Sequence, residues 1–218
     1  MKTIVFDLDG TLVESAPDIH DAANKFLADL GIAPLSIETI IGFIGNGVPK
    51  LVERVMKEAG IEQTDAKHTE LIAAFSAHYA VNPATLSYLN KGALSALETL
   101  RDAGHKMAVC TNKPYALTLQ VLKCLKIDGY FDAVIGGDSL EVKKPDPAPL
   151  FKAMEMLGQD ACIYVGDSEV DAQTAQNAKQ PFFLFTDGYR KAAAEDLNAQ
   201  AVFDDFAELQ GLIGKSDA

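Results

Sequence analysis

The chain has 218 residues, enough for one large core or for a core with a smaller companion; at 48% hydrophobic and 23% charged it belongs with globular proteins, not with disordered or fibrous ones. Lys and Arg number 19 against 31 Asp and Glu, and the formal charge of -12 argues against nucleic acid or an anionic membrane as a partner. The cysteines, Cys110, Cys124 and Cys162, are odd in number and widely spaced, so they are expected as buried structural thiols and not as a disulfide framework or a metal site; no apolar run is long enough for a signal peptide or a membrane span, and a cytoplasmic location is expected.

Ile4 to Phe6 form a short continuous apolar run, the pattern of a parallel strand covered on both faces. It stops at Asp7 and Asp9, followed at once by Gly10 and Thr11. From about Ala16 to Ser87 the pattern is helical throughout: Ala22, Phe26 and Leu30 before Gly31; Leu51, Val52, Val55 and Met56 before Gly60; then Leu71, Ile72, Phe75 and Tyr79. Beyond residue 90 helix and strand alternate, with strands at "KMAVC", "FDAVI", "CIYV" and "PFFLF". The rhythm predicts an α/β fold, a doubly wound parallel sheet formed by residues 1–15 and 88–218, with an all-helical domain of residues 16–87 inserted after the first strand.

Ligands of open parallel sheets lie beyond the carboxyl ends of the strands. Asp7 and Asp9 follow the first strand, Thr111 and Asn112 follow "MAVC", Lys143 and Lys144 follow the strand at Val134, and Asp167 follows "IYVG". Acids crowded in this way repel one another unless a cation holds them ionised. A hard divalent ion suits them: Mg²⁺ takes a few oxygen ligands, keeps several waters and bridges to phosphate, which fits Asp7, a group from Asp9, and Asp167.

In order along the chain, "DLDGTLVES" from Asp7, "TN" at Thr111, "KKPDP" from Lys143 and "GDSEVD" from Gly166 resemble the four motifs of the haloacid dehalogenase superfamily. That resemblance implies a Rossmann-like core with a helical cap and a set of roles. Asp7 would be the nucleophile that forms an aspartyl phosphate, and Asp9 the acid that protonates the leaving oxygen and then activates water. Thr111 and Asn112 would bind phosphoryl oxygens. Lys144, with Lys143 beside it as the rival, would neutralise the transferring group. Asp7, Asp9 and Asp167 would hold Mg²⁺, with Asp171 one helical turn later steadying the site. The second carboxylate, Asp9, favours phosphate ester hydrolysis over dehalogenation.

The inserted cap implies a small-molecule phosphate ester as partner, with the protein acting as a monomer or homodimer. Within it "GFIGNGVPKLVERV" from Gly42 offers Gly45, Asn46 and Gly47 as a substrate loop before a helix, with Lys50 or Arg54 to meet an anionic group. This stretch, with "SAPDI" from Ser15 and "HY" at His78, is similar to bacterial phosphoglycolate phosphatases, which implies a substrate with a carboxylate beside its phosphate. A sugar phosphatase and a β-phosphoglucomutase-like phosphotransferase are the alternatives within the superfamily; a receiver-like or catalytically silent binding protein is the alternative outside it.

Overall fold

The computed structural model describes residues 1–215. Strand β1 (Thr3–Phe6) lies at the centre of the sheet, paired in parallel with β4 (Lys106–Cys110) on one side and β6 (Ile163–Gly166) on the other. Strand β5 (Ala133–Ile135) extends the sheet beyond β4, and β7 (Phe182–Phe185) and β8 (Ala201–Phe203) extend it beyond β6. All these pairings are parallel, in the order β5-β4-β1-β6-β7-β8.

The strand period of two explains the layers. Ile4 and Phe6 face a cluster made with Leu97 and Leu100 of α5 (Ala93–Asp102), Val121 and Leu122 of α6 (Tyr115–Cys124), and Leu209 and Ile213 of α9 (Leu209–Lys215). Val5 faces the other side, with Leu150 and Met154 of α7 (Ala148–Met156) and Ala172 and Ala175 of α8 (Glu169–Ala178). Full burial of each such Val, Ile or Phe stabilises by roughly 1.5–3 kcal/mol. The apolar run therefore fixes β1 between two helical layers, and its carboxyl end carries Asp7 to the rim.

Between β1 and β4 the chain forms α1 (Ala16–Asp29), α2 (Ile37–Ile41), α3 (Val48–Glu58) and α4 (Asp65–Val81). Phe26 of α1, Val52 and Val55 of α3, and Phe75 and Tyr79 of α4 share a separate core, which Leu117 of α6 enters from the sheet domain. A two-stranded antiparallel ribbon joins β2 (Val13–Glu14), where the chain leaves the sheet, to β3 (Tyr88–Leu89), where it returns. Asp18, buried in the first turn of α1, accepts the N–H groups of Leu86 at 3.0 Å and of Ser87 at 2.7 Å and the Ser87 hydroxyl at 2.5 Å, fastening both crossings together.

The ribbon, α2, β8 and α9 are additions to what the sequence pattern predicts. Cys110 and Cys162 are buried, whereas Cys124, at the exposed end of α6, corrects the expectation of three buried thiols. Among the described residues no helix is long and apolar enough to cross a membrane.

Candidate active site

Asp7 leaves β1 with its N–H bonded to Val165 O at 2.9 Å, so the sheet ladder itself aims its carboxylate. Asp7 Oδ1 lies 2.9 Å from Lys144 Nζ. Although buried, that oxygen has no hydrogen-bond partner beyond this ion-pair contact. Lys144 Nζ instead donates to Asp171 Oδ1 at 2.7 Å and to Tyr164 Oη at 2.8 Å. Burial opposes the lysine's charge, but Asp171 and Asp7 outweigh it and hold its pKa above the ordinary value. Lys143 points elsewhere, donating to Asn46 O at 2.9 Å, so of the two adjacent lysines Lys144 is the one beside Asp7.

Asp7, Asp167 and Asp171 bring carboxylate oxygens within 4.8 Å of one another, all three buried. Burial, followed by the charge of Asp171, pushes Asp7 from 3.8 up to about 7, against the pull of Lys144. Asp167 is pushed well above the usual carboxylate range by burial, Asp171 and Asp7. Burial acts on Asp171 in the same sense, yet Lys144, Ser168 and Tyr164 hold it low. Both Asp171 oxygens are taken, Oδ1 by Lys144 and Tyr164, Oδ2 by the Ser168 N–H and hydroxyl at 3.1 and 2.7 Å.

Asp167 Oδ1 accepts the Thr11 hydroxyl at 2.6 Å, and Oδ2 accepts the Tyr189 N–H at 2.7 Å. Gly10, with φ +83°, is required here because a Cβ would lie 2.6 Å from Asp167 Oδ2. Tyr189 also reaches the cap crossing, its hydroxyl donating to Glu14 at 2.7 Å and accepting the Ser15 and Ala16 N–H groups. Buried like-charged oxygens, one of them without a donor, make a set that a hard divalent cation fits.

Asp9 is turned away from this cluster. Its carboxylate accepts Lys113 Nζ at 2.9 and 3.2 Å, and the same ammonium donates to Tyr79 Oη of α4 at 2.6 Å. Thr111 Oγ1 accepts the Lys113 N–H at 3.2 Å, which leaves its hydroxyl hydrogen to donate. The Asn112 amide is committed to Gly45 O and Lys144 O, each at 3.0 Å, so its side chain ties cap to core and does not point a free donor at the cavity.

The cap loop before α3 closes over the rim. Asn112 holds Gly45, Lys143 holds Asn46, and Lys191 donates to Gly42 O at 2.6 Å. Gly47, with φ +81°, is so close that a Cβ would stand 2.9 Å from Asn112 O. Arg54 donates to Phe43 O and Asn46 Oδ1 at 2.8 Å each, bracing this loop, and borders the outer cavity with Asp167 and Lys191. Lys50 is paired with Glu53 at 2.6 Å on a half-exposed face, away from both cavities. The inner cavity, between Asp7, Asp9, Lys113 and the cap, has a volume of about 40 Å³.

Residues 4–185 match the haloacid dehalogenase-like hydrolase family. The chain belongs to that family. Among relatives of this hydrolase, a phosphoglycolate phosphatase of Cereibacter sphaeroides (strain ATCC 17025 / ATH 2.4.3) is 48% identical over 213 residues, covering 98% of each chain. A phosphoglycolate phosphatase of Rhodobacter capsulatus is 41% identical, covering 96% of this chain and 95% of that one. The crystal structure of a predicted phosphoglycolate phosphatase from Haemophilus somnus 129PT superposes with a TM-score of 0.91 at 32% identity, covering 98% of each chain. Within the hydrolase site, Lys113 is the residue that the sequence pattern does not single out, although it directly follows Asn112 in the same strand-end loop, and Tyr79 is legible in sequence as a cap-helix aromatic without a role in the site.

Proposed function

We propose that this hydrolase is a Mg²⁺-dependent phosphatase of small phosphate monoesters, 2-phosphoglycolate foremost, acting in the cytoplasm through a phosphoryl group carried on Asp7. The relatives named above support the substrate. The observation that carries the chemistry is Asp7 itself, which lines the cavity while its buried Oδ1 has no hydrogen-bond partner and lies 2.9 Å from the Lys144 ammonium.

Asp7 and Asp167 would be the carboxylates that hold the metal, because each Asp171 oxygen already accepts at least two donors, from Lys144 and Tyr164 or from Ser168, whereas each Asp167 oxygen accepts one. Asp9 would serve it through its main chain, since Lys113 holds its carboxylate. The bound ion supplies positive charge that keeps these acids ionised and offsets the charge of the transferring group. Asp171 acts behind them by orienting Lys144.

In the first step an Asp7 oxygen bonds to phosphorus as the bond to the leaving oxygen breaks, and Asp9 delivers the proton that the leaving oxygen needs. In the second, water attacks the same phosphorus, Asp9 receives its proton, and the bond to Asp7 breaks to release phosphate. Lys144 and the Thr111 hydroxyl bind the phosphoryl oxygens in both steps. The loop of Gly45, Asn46 and Gly47, braced by Arg54 and Asn112, excludes bulk water.

A panel of phosphate esters with 2-phosphoglycolate and several sugar phosphates, run with Mg²⁺ and with excess chelator, tests this reading. Phosphoglycolate should be turned over fastest and chelator should stop it. Brief incubation followed by acid quench should leave one phosphate on the peptide that contains Asp7. A phosphate found on another residue, or full turnover in chelator, contradicts the mechanism.

A further inference from the structure

The inner cavity has two unlike walls. The cap side is apolar, built from Ile19, Val48, Leu51 and Phe75, apart from the Tyr79 hydroxyl beside Lys113. Among the described residues one cation lines this cavity, Lys113, which is only 5% exposed. Removing an ammonium from water is costly, and a protein retains one at such a place where anions or oriented dipoles compensate it. Burial works against the charge of Lys113, but Asp9 and Tyr79 outweigh it.

The donors at this spot are not all committed to separate partners. Two of the ammonium's contacts go to a single carboxylate, one of them stretched to 3.2 Å. Tyr79 Oη accepts from Lys113 and, among the described residues, donates to no partner, so its own hydrogen is available. The Lys113 Nζ also lies 4.4 Å from the centre of the Tyr79 ring, which fixes the two groups together.

We propose that Lys113 and Tyr79 form the subsite for a carboxylate on the leaving group, and that they select anionic over neutral phosphate esters. This rests on the reading that Asp7 receives the phosphoryl group and Asp9 protonates the leaving oxygen. In a 2-phospho-carboxylic acid a single carbon separates the ester oxygen from the carboxylate. The group that protonates the one and the group that binds the other must therefore be neighbours, as Asp9 and Lys113 are at 2.9 Å. The cavity of about 40 Å³ suits so short a leaving group. Tyr79 comes from α4 of the cap and Lys113 from the sheet edge, so the subsite is complete only with the cap over the core. Arg54 and Lys50, the cations that the sequence pattern suggests for this task, are bonded within the cap loop and on its outer face.

The test compares 2-phosphoglycolate with its amide, carbamoylmethyl phosphate, which keeps the planar shape and loses the carboxylate charge, in the wild type, Lys113→Met and Tyr79→Phe. The wild type should favour phosphoglycolate by at least about 100-fold in kcat/KM, because a site built around a substrate's charged group rejects the analogue without it. Lys113→Met should bring the two substrates to within about threefold, and Tyr79→Phe should reduce the preference by about tenfold. Equal losses on both substrates in Lys113→Met would place Lys113 behind Asp9 alone and overturn the subsite. Both compounds are also measured as inhibitors of aryl phosphate hydrolysis, so the substrate reading and the subsite fail separately. If phosphoglycolate is not turned over but inhibits more strongly than the neutral ester, and Lys113→Met removes that difference, the subsite stands and the substrate reading falls. Equal inhibition constants in the wild type overturn the subsite. Tyr79→Phe retains the ring in the cap core, so it decides the matter should Lys113→Met fold poorly.

Discussion

Replacing Asp7 by Asn removes one negative charge from a buried cluster and keeps the shape of the side chain, so in metal-free protein it isolates the electrostatic cost of the site. Burial, then Asp171, raises Asp7 from 3.8 to about 7 in the folded state. Between those values the folded chain holds a proton that the unfolded chain has lost, so stability must fall as pH rises through this window and level off above it. At about 1.4 kcal/mol per unit, the cost reaches about 4 kcal/mol at pH 8. Asp167, pushed up by the same causes, adds to it in the same direction. Asp171 is held low, so its favourable contribution is complete once the pH exceeds the normal carboxylate range, and that of Lys144, raised above 10.5, is constant throughout.

Urea denaturation in chelator at pH 5, 6, 7 and 8 measures this directly, and subtracting the variant from the wild type cancels the four histidines. Asp7→Asn should be more stable than the wild type by up to about 4 kcal/mol at pH 8, with the gap narrowing towards pH 5. It should have no phosphatase activity. Mg²⁺ at millimolar concentration should stabilise the wild type more at pH 8 than at pH 5, and the variant less than the wild type at both. Parallel pH profiles for the two proteins in chelator would refute the reasoning, because Asp7 would then carry no raised pKa into the stability of the fold.

Lys144→Met leaves Asp7 and Asp171 facing each other without their shared cation; in metal-free protein it should cost about 3–5 kcal/mol in denaturation and abolish turnover. Gly47→Ala forces a side chain to within 2.9 Å of Asn112 O at φ +81°, and should lower kcat/KM about tenfold, from about 1–2 kcal/mol of strain. Gly45→Ala is its control, since a Cβ there meets nothing within 4 Å; equal kinetic losses in both would mean that backbone strain, not contact with Asn112, is responsible. Asp18→Asn removes the charge that accepts three donors from Leu86 and Ser87, and should destabilise by about 2–3 kcal/mol in urea; an unchanged midpoint would show that the crossing is held by packing alone.

What could be read from the sequence was whatever lies within one element and its own strand end. The apolar run of β1 followed by Asp7 states both its burial and its rim position, and the same holds for Thr111 after β4 and Asp167 after β6. The two-residue strands of the ribbon and the three residues of β8, where Val202 is 49% exposed, are too short to show a period. Pairs that depend on the cap settling on the core were hidden for a different reason. Tyr79 sits at the helical spacing of α4 and reads as one more core aromatic, and by packing against Phe75 it is one. Its hydroxyl meets Lys113 across 34 positions of sequence, and Tyr189 meets Glu14 across 175. Neither helical nor strand periodicity carries such information, because it arises where two separately packed clusters meet. The motif positions report what the phosphoryl chemistry requires, whereas Lys113 and Tyr79, at the junction of cap and core, govern which leaving group can be held there, and two proteins with identical motifs can differ in substrate through this junction alone.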